Sequence, residues 1–313
     1  MLRKKSRVVS GLLSAALVLG TMCIPAFAST EGGEGMYVVD GETYNFAIYD
    51  IDDLYTLEAN VESLSAGSAS NPSLKDYDVI LMNNIEIPAD DGWDGIGTPQ
   101  QFIGFTGTFD GNGKTITTNI SNTSNAGPKG GLFNLVSSNL SDANSKVVIK
   151  DLNVTGNVTS NRFIGGVVGR VMGNLDIENC FVNANLTLNN GASNSIGGLI
   201  GQCGSGTGGG TGGGGGTSGG SQGTVNITGC NVAGTFISNT SSNPVGGIFG
   251  HIYSGYTVNI SNSTVSPTLN ASGGATGAYI GNNAGVVTLI SCINNTGVAN
   301  NVGVDNNGSI TVQ

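Results

Sequence analysis

The residues of the repeats that could perform acid–base chemistry are few, and the candidates lie between positions 146 and 176. A polysaccharide lyase needs a base and cations that neutralise a uronate carboxylate, and a glycosidase needs two carboxylates across the scissile bond. Beyond Glu178 the only Asp, Glu, Lys or Arg is Asp305. The small number of titratable side chains in the repeats favours a non-enzymatic protein. The alternative is a degenerate lyase or glycosidase that uses charged residues gathered on one face, drawn from Lys146, Lys150, Asp151, Arg162, Arg170 and Asp176.

One acidic turn, Asp90-Asp91-Gly92-Trp93-Asp94, has the oxygen ligands that Ca²⁺ prefers, but its spacing matches no complete calcium loop. We therefore interpret it as a surface turn and predict no metal or cofactor site. Trp93 is expected to pack over the first strands, and its use as a sugar-stacking platform in a carbohydrate-binding module is the alternative. The single histidine, His251, is placed in a loop after a glycine corner, and no CxxC pair accompanies it.

A phrase of two glycines, two apolar residues and a further glycine recurs along the chain. Complete copies begin at Gly165, Gly197 and Gly246, and degenerate copies begin at Gly130 and Gly277. The first glycines lie 35, 32, 49 and 31 residues apart, and a glycine tract accounts for the long interval. The period of a little over thirty residues indicates one structural unit repeated about five times.

Each copy is followed by a run in which apolar and polar residues alternate. The runs align on an anchor column, with valines two residues further on and polar Asn or Thr between them. Alternation with period two predicts a strand with one buried face, and the many Asn, Gly and Thr residues disfavour a helix. The anchor column consists of Leu152, Cys180, Cys230, Ser263 and Cys292.

Strands that return in phase without an intervening helix predict an all-β fold, a parallel β-helix in which like positions stack. We expect a right-handed coil, from the general preference of parallel connections. The glycine phrase is expected to form a second short strand, with positive φ or close approach at its corners. Outward Asn and Thr side chains are expected to hydrogen-bond along the stack.

These phrases resemble the GLUG-motif repeats of bacterial surface and secreted proteins. The segment Trp93–Gly97 followed by Phe105–Ile116 is similar to the stretch that precedes such repeats, so the resemblance covers roughly residues 78–300. It implies a right-handed β-helix with an adhesin-like or unknown role. Two positions depart from the pattern: Asn134 replaces a closing glycine, and Asn294 replaces a valine.

Residues 1–28 combine four basic residues, a short apolar run and the small-x-small site Ala26-Phe27-Ala28, which together predict a secretory signal peptide. Its removal leaves seven of the 11 Lys and Arg residues against all 21 acids. Nucleic acid is therefore an unfavourable partner. The exported chain is expected outside the cell and at the cell surface, without a membrane span.

Four cysteines lie beyond residue 28, and their apolar alignment favours buried free thiols over disulfides. Cys180 and Cys230 are expected on neighbouring coils, and Cys203 aligns with apolar Val171 and Ile252.

Three regions follow the signal peptide in this interpretation. Residues 29–77 form an acidic leader and one amphipathic helix that begins after Asp50, ends near Gly67 and caps the coil stack. Residues 78–313 form the β-helix, and residues 204–223, thirteen of which are glycine, form a flexible loop inserted in one coil. The last strand, near Ser309–Gln313, is expected to lie uncovered and to favour end-to-end self-association. A neutral Asn/Thr/Ser-rich face that binds glycans or proteins is the expected function.

Overall fold

The structure is a computed structural model, and it describes residues 32–68, 70–89, 91–122, 130–189, 194–204, 222–240, 242–272 and 275–313. The predicted signal peptide, Asp90 and most of the glycine-rich loop lie outside these described residues. The described chain is a parallel β-helix, because strands one coil apart pair in parallel throughout the stack.

An antiparallel hairpin opens the described chain, with strands β1 (Gly33–Val39) and β2 (Glu42–Ile48). β2 then pairs in parallel with β3 (Ser73–Leu81), so strand pairing begins upstream of residue 78. The predicted leader therefore contains two strands that sequence reasoning missed. A small outer cluster around Tyr44, Ala47 and Ile80 packs against the hairpin.

Helix α1 (Ile51–Glu62) follows the hairpin, as the spacing of its apolar residues predicts. Asp50 accepts hydrogen bonds from the backbone N–H groups of Asp52 and Asp53, and the Asp53 side chain accepts from the Asp50 backbone, which completes a capping box. Leu54, Leu57 and Val61 are fully buried in the main core. The helix contacts β1, β2, β3 and the long strand β5, so it covers the N-terminal end of the stack.

The first coils contain β4 (Ile85–Glu86), a 3₁₀ turn (Pro99–Gln101), β5 (Ile103–Asp110) and β6 (Thr115–Asn122). From this point each coil uses the same order of strands. Strands of what we call sheet I begin within the glycine phrase in every coil but the last, where the phrase is absent: β7 (Phe133–Ser137), β11 (Val168–Met172), β15 (Ile200–Cys203), β19 (Phe249–Ile252), β24 (Ile280–Asn283) and β27 (Val302–Asp305).

Sheet II comes next in each coil, and β5 joins it to sheet I in one 16-stranded sheet. Its strands are β8 (Val147–Lys150), β12 (Leu175–Glu178), β16 (Gly223–Thr228), β20 (Tyr256–Ser261), β25 (Val286–Ile290) and β28 (Ser309–Val312). Leu175 pairs with Val225 across the glycine-rich insertion, which confirms that the repeat resumes in phase.

Sheet III closes each coil and carries the alternating runs. Besides β4 and β6 it contains β9 (Asn153–Ser160), β13 (Phe181–Leu188), β17 (Asn231–Ser238), β21 (Thr264–Val265), β22 (Thr268–Ala271) and β26 (Ile293–Asn294). Short corner strands then lead back to sheet I: β10 (Ile164–Gly165), β14 (Ile196–Gly197), β18 (Val245–Gly246) and β23 (Thr276–Gly277).

Like residues stack in columns inside the coil, as predicted. The anchor column is confirmed. Each of its residues is followed by a strand residue, and these strand residues pair with one another from coil to coil. The valine column is confirmed as far as Val265, and Asn294 at its end folds into a turn with Thr296 and Val298. A further column on sheet II runs Phe46, Val79, Phe109, Ile149, Ile177, Ile227, Ile260 and Leu289.

The corner glycines are needed for close approach and not for positive φ. None of the glycines in the complete phrases has positive φ. A Cβ at Gly198 would lie 2.3 Å from the Gly247 carbonyl oxygen of the next coil. In the first copy Asn134 replaces the closing glycine, and its buried amide donates to the carbonyls of Asp94 and Gly97.

Candidate functional site

The charged residues that could support a lyase do not gather in one place. Lys150 forms an ion pair of 3.0 Å with Asp110, which also accepts a 2.6 Å hydrogen bond from the Tyr44 hydroxyl. Burial opposes the charge of Lys150, but the hydrogen bond and negative charge of Asp110 raise its pKa. Burial and the same carboxylate raise the pKa of Tyr44. This network attaches the N-terminal hairpin to β5 and β8.

Asp176 belongs to a second network on the outer face of sheet II. It pairs with Lys146, whose pKa is raised by the hydrogen bond and charge of that carboxylate. Asn226 donates to Asp176 over 2.7 Å, and Asn259 donates to Asn226 over 2.9 Å. The polar side chains thus form a chain of hydrogen bonds that crosses three coils.

Asp151 directly follows β8 and accepts a 3.2 Å hydrogen bond from the Asn179 side chain. The two arginine candidates lie elsewhere. Arg162 lies between sheet III and the corner strand β10, and Arg170 lies on sheet I with hydrogen-bond and ring contacts to Gly204 and Phe102. Lys150, Arg162, Arg170 and Asp176 therefore belong to three separate parts of the coil, and their described contacts do not bring them into one groove.

The acidic turn has a different geometry from the one expected. Asp91 is exposed, whereas carboxylate oxygens of Asp94, Glu58 and Glu62 lie within 4.8 Å of one another. Two of these groups come from α1, so the helix and the turn together form an acidic cluster that could supply metal ligands. Trp93 is 5% exposed and belongs to the main core, so its ring is not a surface platform.

The four cysteines in the described part of the chain are free thiols, and three of them are buried. The Cys230 thiol and burial raise the pKa of Cys180, and burial alone raises the pKa of Cys203. Cys180 and Cys203, which are protonated and buried, are therefore poor nucleophiles and poor metal ligands. They act as small apolar residues of the core.

The outer face of sheet III carries a regular array of neutral polar side chains. Asn157 donates to Asn119 over 3.2 Å, and Asn185 donates to Asn157 over 3.1 Å. The hydroxyls of Thr117 and Thr155 lie 3.1 Å apart in the neighbouring column. The predicted hydrogen bonding along the stack is therefore present, and it fixes these side chains at the spacing of the coils, about 4.8 Å.

One aromatic ring interrupts this polar array. Phe181 is 37% exposed on β13, and register pairing places Asn153 and Asn231 directly beside it on the adjacent coils. Sequence reasoning missed this residue because only the inward positions of the repeat were compared. Its place, immediately after Cys180 of the anchor column, was the signal that could have revealed it.

Sheet I carries a second row of polar residues, one from each of four coils. The register places Arg170, Gln202, His251 and Asn282 side by side. The prediction that His251 lies in a loop is wrong, because it lies within β19 and its ring stacks on Tyr253 at 4.1 Å. Burial lowers the pKa of His251 to about 4, so the ring is neutral at neutral pH.

Comparison with known proteins adds little to this description. No protein-family model matches the chain, and no curated protein matches its sequence. A solved structure of a candidate immunoglobulin A1 protease from Bacteroides ovatus is 18% identical, with 83% of each chain covered and a TM-score of 0.49. A similarity this low leaves the activity of the present chain open. Among the described residues no helix is long and apolar enough to cross a membrane.

Proposed function

We propose that this chain is an exported, non-enzymatic β-helical protein that binds extracellular glycans through the outer face of sheet III. The observation that carries the proposal is the array of exposed Asn and Thr side chains held in place from coil to coil. Asn157 and Asn185 are exposed; within the array Asn157 donates to Asn119 and accepts from Asn185. Their remaining donors and acceptors face solvent in a fixed arrangement, so less entropy is lost when a hydroxylated polymer binds.

Phe181 supplies the apolar contact that such a surface needs. A sugar ring has an apolar face that packs on an aromatic side chain, while its hydroxyls reach neighbouring amides. Asn153 and Asn231 lie on either side of Phe181 in the same column. The export signal predicted from the sequence and the resemblance to bacterial surface repeats support an extracellular setting for this contact.

The proposal is tested by presenting the purified protein and two variants to a glycan array. We expect Phe181→Ala to weaken binding roughly five- to tenfold, the equivalent of about 1 kcal/mol for a lost aromatic contact. Val286→Ala is the matched control, because Val286 is 53% exposed on sheet II. It should bind as the unmodified protein does.

Absence of glycan binding would overturn the proposal, and so would equal binding by Phe181→Ala and the unmodified protein. Binding to a protein ligand on the same face, lost in Phe181→Ala, would instead support the protein-binding form of the same role. Turnover of a polysaccharide that is abolished by one carboxylate substitution would establish the enzymatic alternative.

A further inference from the structure

Arg170 is an isolated cation in the part of the chain that forms most of the coils. It is the only Lys or Arg among residues 163–313, and residues 179–304 contain no Asp or Glu. The acids closest to it in sequence have other contacts: Asp176 pairs with Lys146 on sheet II, and Glu178 lies in register with Lys150. In the described residues Arg170 has no carboxylate partner.

The side chain is nonetheless covered by the fold. Arg170 is 9% exposed, and its Nε donates a 3.2 Å hydrogen bond to the Gly204 carbonyl oxygen. The side-chain amide of Gln202 donates to the same oxygen over 2.7 Å. Within the described chain the two terminal guanidinium nitrogens of Arg170, Nη1 and Nη2, make no hydrogen bond. The four N–H groups of these two nitrogens are thus left for water or a ligand.

Aromatic rings lie near this guanidinium. Its Cζ lies 5.9 Å from the centre of the Phe102 ring. Tyr253, stacked on His251, and Tyr256 lie close enough to Arg170 to influence it electrostatically. Burial lowers the pKa of Arg170, which means that the charged form lacks full solvation. An anion that reached it would be held by charge-assisted hydrogen bonds in a weakly screened environment.

The side-chain amide of Gln202, next to Arg170, indicates which second group a ligand would carry beside its anion. Gln202 is 2% exposed, and its Oε1 is buried without a hydrogen-bond partner. A buried acceptor of this kind requires a donor such as a hydroxyl group. An oxyanion for Arg170 and a hydroxyl for Gln202, beside aromatic rings, are the features of an acidic sugar.

We propose that Arg170 and Gln202, flanked by Phe102 and Tyr253, form a binding site for the carboxylate of an acidic saccharide on sheet I. This inference rests on the proposed glycan-binding function, but it concerns a different face of the coil from Phe181. Arg170 supplies bidentate hydrogen bonds to the carboxylate, and Gln202 Oε1 accepts from an adjacent hydroxyl.

The experiment measures binding of a uronate oligosaccharide, its methyl ester and a neutral oligosaccharide by calorimetry. We expect the uronate to bind at least tenfold more tightly than its ester, and Arg170→Gln to abolish that preference. Arg162→Gln is the matched control, because Arg162 lies at another corner, and it should keep the full preference. Thermal unfolding of each variant establishes that it folds.

Gln202→Glu is a second variant that does not remove the cation. It is nearly isosteric and supplies an internal carboxylate beside Arg170 in place of the amide that donates to Gly204, so it should lose the uronate preference, and its thermal unfolding establishes that it folds. Retention of the preference in either Arg170→Gln or Gln202→Glu would overturn the proposal. Equal binding of uronate and ester by the unmodified protein would also overturn it.

Sodium sulfate forms the remaining arm of the experiment. Sulfate that binds as tightly as the uronate would assign the site to a free anion and overturn the saccharide assignment. If neutral glycans still bind in a manner that depends on Phe181, only this inference fails. If no glycan binds at all, the proposed function fails with it.

Discussion

At the scale of single residues, the outward row on sheet I shows how burial controls charge. His251 and Arg170 occupy equivalent positions two coils apart, and desolvation disfavours the charged form of both. The histidine responds by staying neutral, because its pKa falls to about 4. Arginine remains protonated at any pH of interest, so its burial creates a demand for a counter-ion instead.

The depressed pKa of His251 predicts a loss of stability in acid. The unfolded chain takes up a proton near the usual pKa of 6.5, whereas the folded chain takes it up near 4. This residue therefore favours the folded state fully above pH 6.5, and its contribution falls between pH 6.5 and pH 4 by about 3 kcal/mol. Urea unfolding at pH 7.5 and pH 4 should show this difference between the unmodified protein and His251→Gln. An identical pH dependence of the two would contradict the prediction.

The polar residues of this row were within reach of the sequence. Arg170, Gln202, His251 and Asn282 each follow directly after the closing glycine of a repeat. Apolar alternation identified the inward columns, such as the anchor column that contains Cys180 and Cys230, because the core restricts inward positions to similar side chains. The outward positions of sheet I carry no such restriction, so their residue types differ from coil to coil, and only their place after the closing glycine marks them.

At the scale of elements, the corner between sheets III and I depends on the absence of side chains. A Cβ at Gly198 would meet the Gly247 carbonyl oxygen and a methyl group of Val232, each at 2.3 Å. The last copy of the phrase has Ala278 at the position equivalent to Gly198. The chain that follows this copy contains no further copy of the phrase. The glycine is thus required by the coil stacked next to it.

Gly198→Ala should therefore destabilise the fold by roughly 3 kcal/mol or more, because backbone atoms of two coils must move apart. Gly297→Ala is the control, since Gly297 has a φ of 78° and a methyl group added there would meet nothing within 4 Å. It should cost only about 1 kcal/mol, from left-handed strain. Denaturant midpoints measure both, and equal losses would show that close approach is not the cause.

The elements that were predicted from the sequence and those that were missed differ in how regular their apolar patterns are. Helix α1 was predicted because Leu54, Leu57 and Val61 recur at helical spacing after the Asp50 cap. The β1–β2 hairpin was missed because its strands form an irregular pair, with a register shift between Glu34 and Tyr37. Tyr37 and Val39 pack into the small outer cluster and not into the main core. An apolar residue at every second position, all facing one core, is therefore not the pattern of this strand.

At the scale of the whole molecule, the two ends of the stack differ. The N-terminal end is covered by α1 and carries many acids, whereas sheets I, II and III end at β27, β28 and β26. Among the described residues, exposed apolar side chains are most numerous in the last coils, at Val286, Ile290, Ile293, Val304 and Val312, and two more, Met36 and Val38, lie on the N-terminal hairpin. An uncovered strand edge offers backbone hydrogen bonds to another strand.

We therefore expect the 313-residue chain to self-associate through its C-terminal end as concentration rises. Residues 179–313 contain a single charged side chain, Asp305, so little side-chain repulsion opposes contact between two such ends. Light scattering across a concentration series should show a rising mean mass. Val312→Lys, which places a charge on β28, should restore the monomer. A constant monomer mass in the unmodified protein would rule this association out.

Each coil contacts the coil before it and the coil after it, and every coil adds one rung to the outer faces at the same register. Duplication of one repeat would thus lengthen the protein without rearranging its neighbours. A longer array holds more contact points for a chain-like ligand, so avidity would increase in whole steps while each individual contact stayed the same. Repeat number, rather than substitution within the face, is then the simplest way for such a protein to change how firmly it holds a polymer.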